Sequence, residues 1–278
     1  TSIIFKTTNY KNMSVKVAIR LRPFNERELK NQDKPCIDIN QQTVRIKNPN
    51  KKERTFTFDN SFWSMKTPNP NADPSFADQE VVYNKIGSQM VEQVFKGLNC
   101  CLFAYGQTGS GKSYSMMGSE NKKGVIPRLI LSLFERIEDD SMEDKEITVE
   151  FSMLEIYNEK IQDLLVDVKK RKEEGMKLRL NTEKKCFYVH ELNWKQVGSF
   201  EEVQTLLDLG NRNRSVAATQ MNATSSRAHT LVTLKVEMKE EIRGNIVKRT
   251  SEINLVDLAG SEKVGKTGVR GKHLKEGC

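Results

Sequence analysis

Gly106-Gln107-Thr108-Gly109-Ser110-Gly111-Lys112-Ser113 follows directly on the apolar run Cys100-Cys101-Leu102-Phe103-Ala104-Tyr105. The octapeptide satisfies the whole G-x-x-x-x-G-K-[ST] pattern, and the run before it has the length and character of a strand covered on both faces. Glycines at these spacings let the backbone curl until several N–H groups face one anion. The helix expected next points its positive end at the same place. Lys112 can then reach β- and γ-phosphates, and the Ser113 hydroxyl can ligate Mg²⁺. Strand, loop and helix together read as a nucleotide site.

Two further segments extend it. Asp257 closes the apolar run Ile253–Val256, where a carboxylate can hold Mg²⁺ through water, and Gly260 follows with a backbone N–H suited to a γ-phosphate. Asn222-Ala223-Thr224-Ser225-Ser226-Arg227-Ala228-His229 is a polar stretch before a predicted strand. Its hydroxyls can ligate Mg²⁺ or orient an attacking water, although alone it also reads as a capping loop. The order of phosphate loop, serine loop and Asp-Leu-Ala-Gly-Ser-Glu (257–262) suggests a γ-phosphate sensor with two loops that rearrange after hydrolysis.

Outward from the site, Val15–Leu21 alternates small or apolar with basic residues and stops before Pro23, as a strand would. Thr43–Lys47 and Thr55–Phe58 read as a strand pair. The apolar spacing over 78–95 predicts one helix, ended by Gly97. Pro127 suits a helix start, with Leu129–Ile137 continuing it. Ile147–Tyr157 is strand-like, and Thr233–Met238 with Ile246–Val256 predict two strands joined around Gly244-Asn245. Alternating strands and helices predict an α/β fold of the P-loop NTPase type, with a largely parallel central sheet and helices on both faces.

The chain has 278 residues, of which 37% are hydrophobic, enough for a sizeable core. No apolar run approaches the ~18–20 residues that cross a bilayer, and residues 1–13 lack a signal-peptide core. The 5 cysteines and 3 histidines show no disulfide or zinc spacing, so a reducing compartment without a metal cage is expected. A formal charge of +8 suits a polyanionic partner. Nucleic acid is disfavoured because no aromatic-interleaved basic patch or recognition helix occurs.

These strings resemble the kinesin motor domain. The phosphate loop at 106–113 and DLAGSE at 257–262 match that family intact, and N-x-x-S-S-R-S-H stands at 222–229 with Ala228 in place of the usual serine. Arg20-Leu21-Arg22-Pro23 matches its R-x-R-P, and Glu155–Glu159 with Asp163-Leu164-Leu165 matches E-I-Y-N-E…D-L-L. Phe58-Asp59 with Ser61–Ser64 looks most like the plus-end-directed vesicle-transport subfamily. The resemblance implies residues 14–278 as motor domain behind an extension at 1–13, and a domain lacking its C-terminal part, since the family continues beyond Lys275–Cys278.

The resemblance further implies ATP and Mg²⁺ as ligands. Arg20, Arg22 and Pro23 would frame the adenine and Tyr114 would stack on it. Gly106, Gln107, Thr108, Gly109, Ser110, Gly111, Lys112 and Ser113 would hold the phosphates, while Ser113, Ser226 and Asp257 would serve the metal. Ser225, Ser226 and Gly260 would report the γ-phosphate. Arg227 and Glu262 would pair across the two switches, Glu262 also helping to take the proton from the lytic water. The implied activity is microtubule-stimulated ATP hydrolysis coupled to movement, in the cytoplasm on the cytoskeleton. Lys263, Lys266, Arg270, Lys272 and Lys275 would lean on tubulin, and cargo or adaptors would bind through tail regions, with no direct membrane contact from this domain. A nucleotide-gated microtubule binder without motility is the alternative. A GTPase is disfavoured by the lack of an N/T-K-x-D string, and a myosin-like motor by the wording of both switches.

Overall fold

The computed structural model describes residues 2–7, 14–48, 51–65, 76–183, 185–220 and 227–262. The first half runs β1 (Ser2–Thr7), β2 (Ser14–Leu21), α1 (Glu26–Lys30), β3 (Ile37–Asn40), β4 (Thr43–Asn48), β5 (Lys51–Thr57), β6 (Asn60–Trp63), α2 (Gln79–Ile86), α3 (Ser88–Phe95) and β7 (Cys100–Tyr105). After the glycine loop come α4 (Lys112–Met116), β8 (Gly118–Ser119), β9 (Lys122–Lys123), α5 (Val125–Ile137), β10 (Lys145–Tyr157) and β11 (Lys160–Asp163). Then follow β12 (Leu178–Asn181), β13 (Cys186–Val189), β14 (Lys195–Val197), α6 (Phe200–Gln220), β15 (His229–Ile242) and β16 (Asn245–Asp257).

Among the described residues the main sheet runs β11-β10-β15-β16-β7-β1-β2-β6, with β14 also paired to β10. The α/β class is as expected, but the strand directions are not. Parallel pairing joins β7 to β16 and β2 to β6, whereas β10, β11, β14, β15, β16 and β1 otherwise pair antiparallel. The reason is visible along β15, where buried Val232, Leu234, Val236 and Met238 alternate with more exposed neighbours, the mark of a sheet covered on one face.

Among the described residues, α2, α3, α5 and α6 share a single core with one face of the sheet. Val82, Ile86, Met90, Val94, Leu129, Leu133, Val203 and Leu207 meet Leu102, Phe151, Leu234, Ile253 and Leu255 there. On β7, Cys100, Leu102 and Ala104 are buried in this core, while Cys101 and Phe103 are half-buried on the other side. Burial pushes the Cys100 thiol up to about 12, so it stays protonated, and neither cysteine is in a disulfide. A smaller core of Ile39, Val44, Trp63 and Met65 ties the β3-β4-β5 sheet to Ile19 and Leu21 on the opposite side of β2.

The helix predicted over 78–95 divides at Gly87 into α2 and α3. The Tyr83 ring occupies the space a Cβ at position 87 would need, so glycine allows the chain to turn tightly past it. In α6, Gly210 likewise lies flat against the Met153 thioether. Helix α1 opens with a capping box in which Asn25 Oδ1 accepts from Glu28 N and Glu28 Oε2 accepts from Asn25 N. Glu28 also takes a two-pronged bond from Arg22, at 2.7 and 2.6 Å.

That clamp has a pH signature. The Arg22 guanidinium, with help from Asn25 N–H, holds the Glu28 carboxyl down at about 2 against an ordinary 4.5. A depressed carboxylate stabilises the fold above its unfolded value and loses that contribution as pH falls through the folded one. Glu28→Gln should therefore lower the thermal midpoint at neutral pH, and the deficit should shrink between pH 4.5 and about 2 in paired melts. In the core, Leu102→Ala should cost about 2–5 kcal/mol in urea unfolding, because a fully buried leucine on the central strand leaves a cavity.

Candidate nucleotide site

Parallel pairing aligns Asp257 with Ala104, so β7 and β16 end together and deliver the glycine loop and the acidic switch to one edge of the sheet. Antiparallel β15 begins there too, with Thr230 level with Asp257. Within the loop, Gly109 and Gly111 adopt φ of 75° and 89°, left-handed values that glycine takes without strain. Gly111 caps α4, which opens with the buried Lys112 and the exposed Ser113.

Lys112 is 8% exposed, and its ammonium donates to the carbonyls of Gly106 (2.8 Å) and Gln107 (3.2 Å). Burial lowers its pKa, while the nearby Asp257 and Glu262 charges resist the change. Ser113 Oγ donates to Asp257 Oδ2 at 2.5 Å, and Asp257 Oδ1 is buried with no hydrogen-bond partner among the described residues. Burial pushes the Asp257 carboxyl up, against the pull of Ser113, Lys112, Arg214 and His229.

The switch strand is stitched to the loop through Leu258 N to Ala104 O (3.3 Å) and Ser261 N to Gly106 O (3.1 Å). Glu262, which the resemblance pairs with Arg227, is held here on the phosphate loop. Its two carboxylate oxygens accept from Thr108 N (2.8 Å) and Thr108 Oγ1 (2.5 Å) on the phosphate loop itself. Burial pushes its pKa up, but the two Thr108 donors, its own N–H and Lys112 outweigh that and leave it lowered. Glycine at 260 lets the Glu262 carboxylate and Thr108 Oγ1 close in on the space a Cβ would take. Ser225 and Ser226 lie outside the described residues, as do the cations from Lys263 to Lys275.

A cavity of about 290 Å³ opens beside Ser110 and Gly111, walled by Arg22, Pro23, Phe76, Asp78, Tyr114 and Lys122. Tyr114 is 40% exposed and offers a ring face to it. Arg20 backs this wall from within. It is 4% exposed, its guanidinium bonded to Ser64 Oγ (3.0 Å), Gln79 Oε1 (2.7 Å) and Ser115 Oγ (3.0 Å), with Cζ 5.4 Å from the Tyr114 ring centre. Arg22 lines the cavity while held by Glu28 and the Pro23 carbonyl.

Sequence reasoning missed several contributors. His229 Nδ1 accepts from Ala259 N at 3.1 Å and so joins the two switches as a neutral ring, consistent with a pKa that burial lowers. Arg214, from α6, donates to Thr230 Oγ1 at 3.0 Å and sends its charge towards Asp257. Gln79 and Ser115 anchor Arg20. The histidine stood inside a quoted motif; the others carried no local signal.

The Kinesin motor domain model matches residues 20–278. The kinesin-like protein KIF1B of Rattus norvegicus is 44% identical over 273 residues, covering 95% of this chain and 15% of the relative. The kinesin-like protein unc-104 of Caenorhabditis elegans is 43% identical over 273 residues, covering 95% of this chain and 17% of the relative. Among solved structures, KIF14 with ADP in complex with a microtubule superimposes with a TM-score of 0.81 at 38% identity, over 94% of this chain and 73% of that one. The chain thus spans a small share of its curated relatives' length, and KIF1-type proteins fit the subfamily suggested by residues 58–64. Similarity of this extent, running through the glycine loop and both switches, means that the chain belongs to the kinesin motor-domain family.

Proposed function

We propose that this chain binds and hydrolyses ATP with Mg²⁺ and couples the state of its γ-phosphate site to microtubule binding and movement. The observation that carries the reading is the meeting of Lys112, Ser113 and Asp257, with one Asp257 oxygen on Ser113 and the other buried without a partner among the described residues. An orphaned carboxylate oxygen beside a serine hydroxyl suits a hydrated divalent cation. Ser113 would hold the ion directly, Asp257 would hold it through water, and Ser226 is the further candidate ligand. When bound, Mg²⁺ supplies positive charge against the phosphate oxygens.

The protein's own groups divide the remaining work. Lys112 exchanges the Gly106 and Gln107 carbonyls for phosphate oxygens, and the Thr108 to Ser113 N–H groups complete the cradle. Glu262 must leave Thr108 for those donors to be free. Once released, it can take up the Arg227 partnership and receive the proton of the attacking water. No side chain attacks phosphorus, so catalysis rests on positioning and electrostatics. The motion of Glu262 carries Ser261 and Gly260 with it, and this is how the second switch would report hydrolysis to the loop beyond. The microtubule complexes of the KIF14 neighbour support a microtubule as the partner and the cytoplasmic cytoskeleton as the location.

Phosphate release from Mg·ATP, with and without microtubules, tests the reading; the absence of both hydrolysis and ATP binding would end it. Lys112→Ala should abolish measurable ATP affinity, because the phosphates lose their main side-chain cation. Glu262→Ala should still bind ATP but hydrolyse it on the order of 10²–10³ more slowly than the unaltered chain, as loss of a preorganised electrostatic group requires. Tight binding with normal turnover in that variant would remove Glu262 from the mechanism.

A further inference from the structure

Gln79 stands behind the cavity beside the glycine loop without lining it, and is 3% exposed. Its Oε1 accepts from Arg20 Nη1 at 2.7 Å. Its Nε2 donates to the Tyr114 carbonyl at 2.7 Å and to the Lys122 carbonyl at 3.4 Å. Arg20, Tyr114 and Lys122 all line the cavity, and they come from β2, α4 and β9. A single amide thus ties together walls that the chain supplies from three separate elements.

The chemistry at position 79 is restrictive. A guanidinium demands an acceptor and two carbonyls demand donors, and a primary amide offers both from one planar group. A carboxylate would keep the Arg20 contact but turn lone pairs towards the Tyr114 and Lys122 carbonyls. An aliphatic side chain would take one acceptor from the buried Arg20 and the shared donor from two part-buried carbonyls, a costly arrangement. Gln79 is fixed in turn by its place at the first turn of α2, where Asp78 Oδ1 caps Val81 N at 2.9 Å.

We propose that Gln79 is a positioning residue for the nucleotide base. It touches no ligand, and it sets the spacing of Arg20, the Tyr114 ring and Lys122 that grips a purine, whereas phosphate affinity is set separately by Lys112 and the glycine loop. This rests on the reading of the cavity as the base side of an ATP site.

Calorimetric titration of the 278-residue chain with Mg·ATP and with Mg·tripolyphosphate separates the two subsites. Gln79→Leu should weaken ATP by about tenfold, the scale of one charge-assisted hydrogen bond lost from the wall, and leave tripolyphosphate within about twofold. Gln79→Glu, which keeps the Arg20 contact and loses both donors, should fall between the wild type and Gln79→Leu for ATP. It should be silent for tripolyphosphate, and it carries the test alone if the leucine variant shows no cooperative unfolding transition. Equal weakening of both ligands would make Gln79 a general support and overturn the proposal, as would unchanged ATP affinity in either variant. A wild type that binds tripolyphosphate as tightly as ATP would instead sink the assignment of the cavity to the base.

Discussion

The pairing of β7 with β16 in the same direction is the constraint on which the site depends. Asp257 reaches Ser113 because Val256 and Phe103 share a rung and both strands stop at the same edge. An antiparallel arrangement would carry the acidic switch to the far end of the sheet. The core beneath is arranged to hold this rung, with Leu102, Leu255 and Leu234 fully buried against α3 and α5. Burial of that kind, at about 25 cal/mol per Å², fixes strand positions more firmly than any one polar contact above it.

Above the rung, several polar groups of the loop and switch are held by the chain itself. Lys112 folds back on two loop carbonyls, Ser113 on Asp257, and Thr108 on Glu262. The Glu262 carboxylate on a backbone N–H and a hydroxyl of the loop copies, in miniature, what a phosphate oxygen would do. Occupancy by an internal carboxylate keeps the loop shaped and its donors satisfied, and it makes displacement of Glu262 part of any phosphate's entry. On the proposed reading, movement of the acidic switch would follow from competition for the same hydrogen-bond donors, without a separate trigger.

How much of this was legible in the sequence varied with the physical range of the signal. The glycine loop, its preceding strand and Asp257 were readable because each is a local pattern with a steric or electrostatic reason. Helix α6 escaped notice because its buried stripe rests on little more than Val203, Leu207 and the close approach of Gly210 to Met153. Strand direction was misjudged, although the alternation along β15 carried the correct signal. Arg20 was expected at the ligand; period-two geometry puts it on the buried face of β2 with Ala18, so that it lines the cavity from behind, and that too could have been read. The partners of Glu262 could not, since Thr108 lies 154 residues away along the chain.

Strand β1 was set apart as an extension when read as sequence, yet it pairs with β2 on one side and β7 on the other. The block of β2 and β6 carries the wall of Arg20, Arg22 and Ser64, and the block from β7 outward carries the glycine loop and Asp257. Within the sheet, the seam between these blocks is β1. Strand pairing resists a slip of one residue, which would turn every side chain to the wrong face, but a slip of two preserves facing and shifts a strand by about 7 Å. Such a slip at β1 would slide one wall of the cavity along the other by that same distance. The pairing register of Ser2–Thr7 thus acts as a gauge block within the sheet, one of the constraints that keep the two walls of the cavity level with each other.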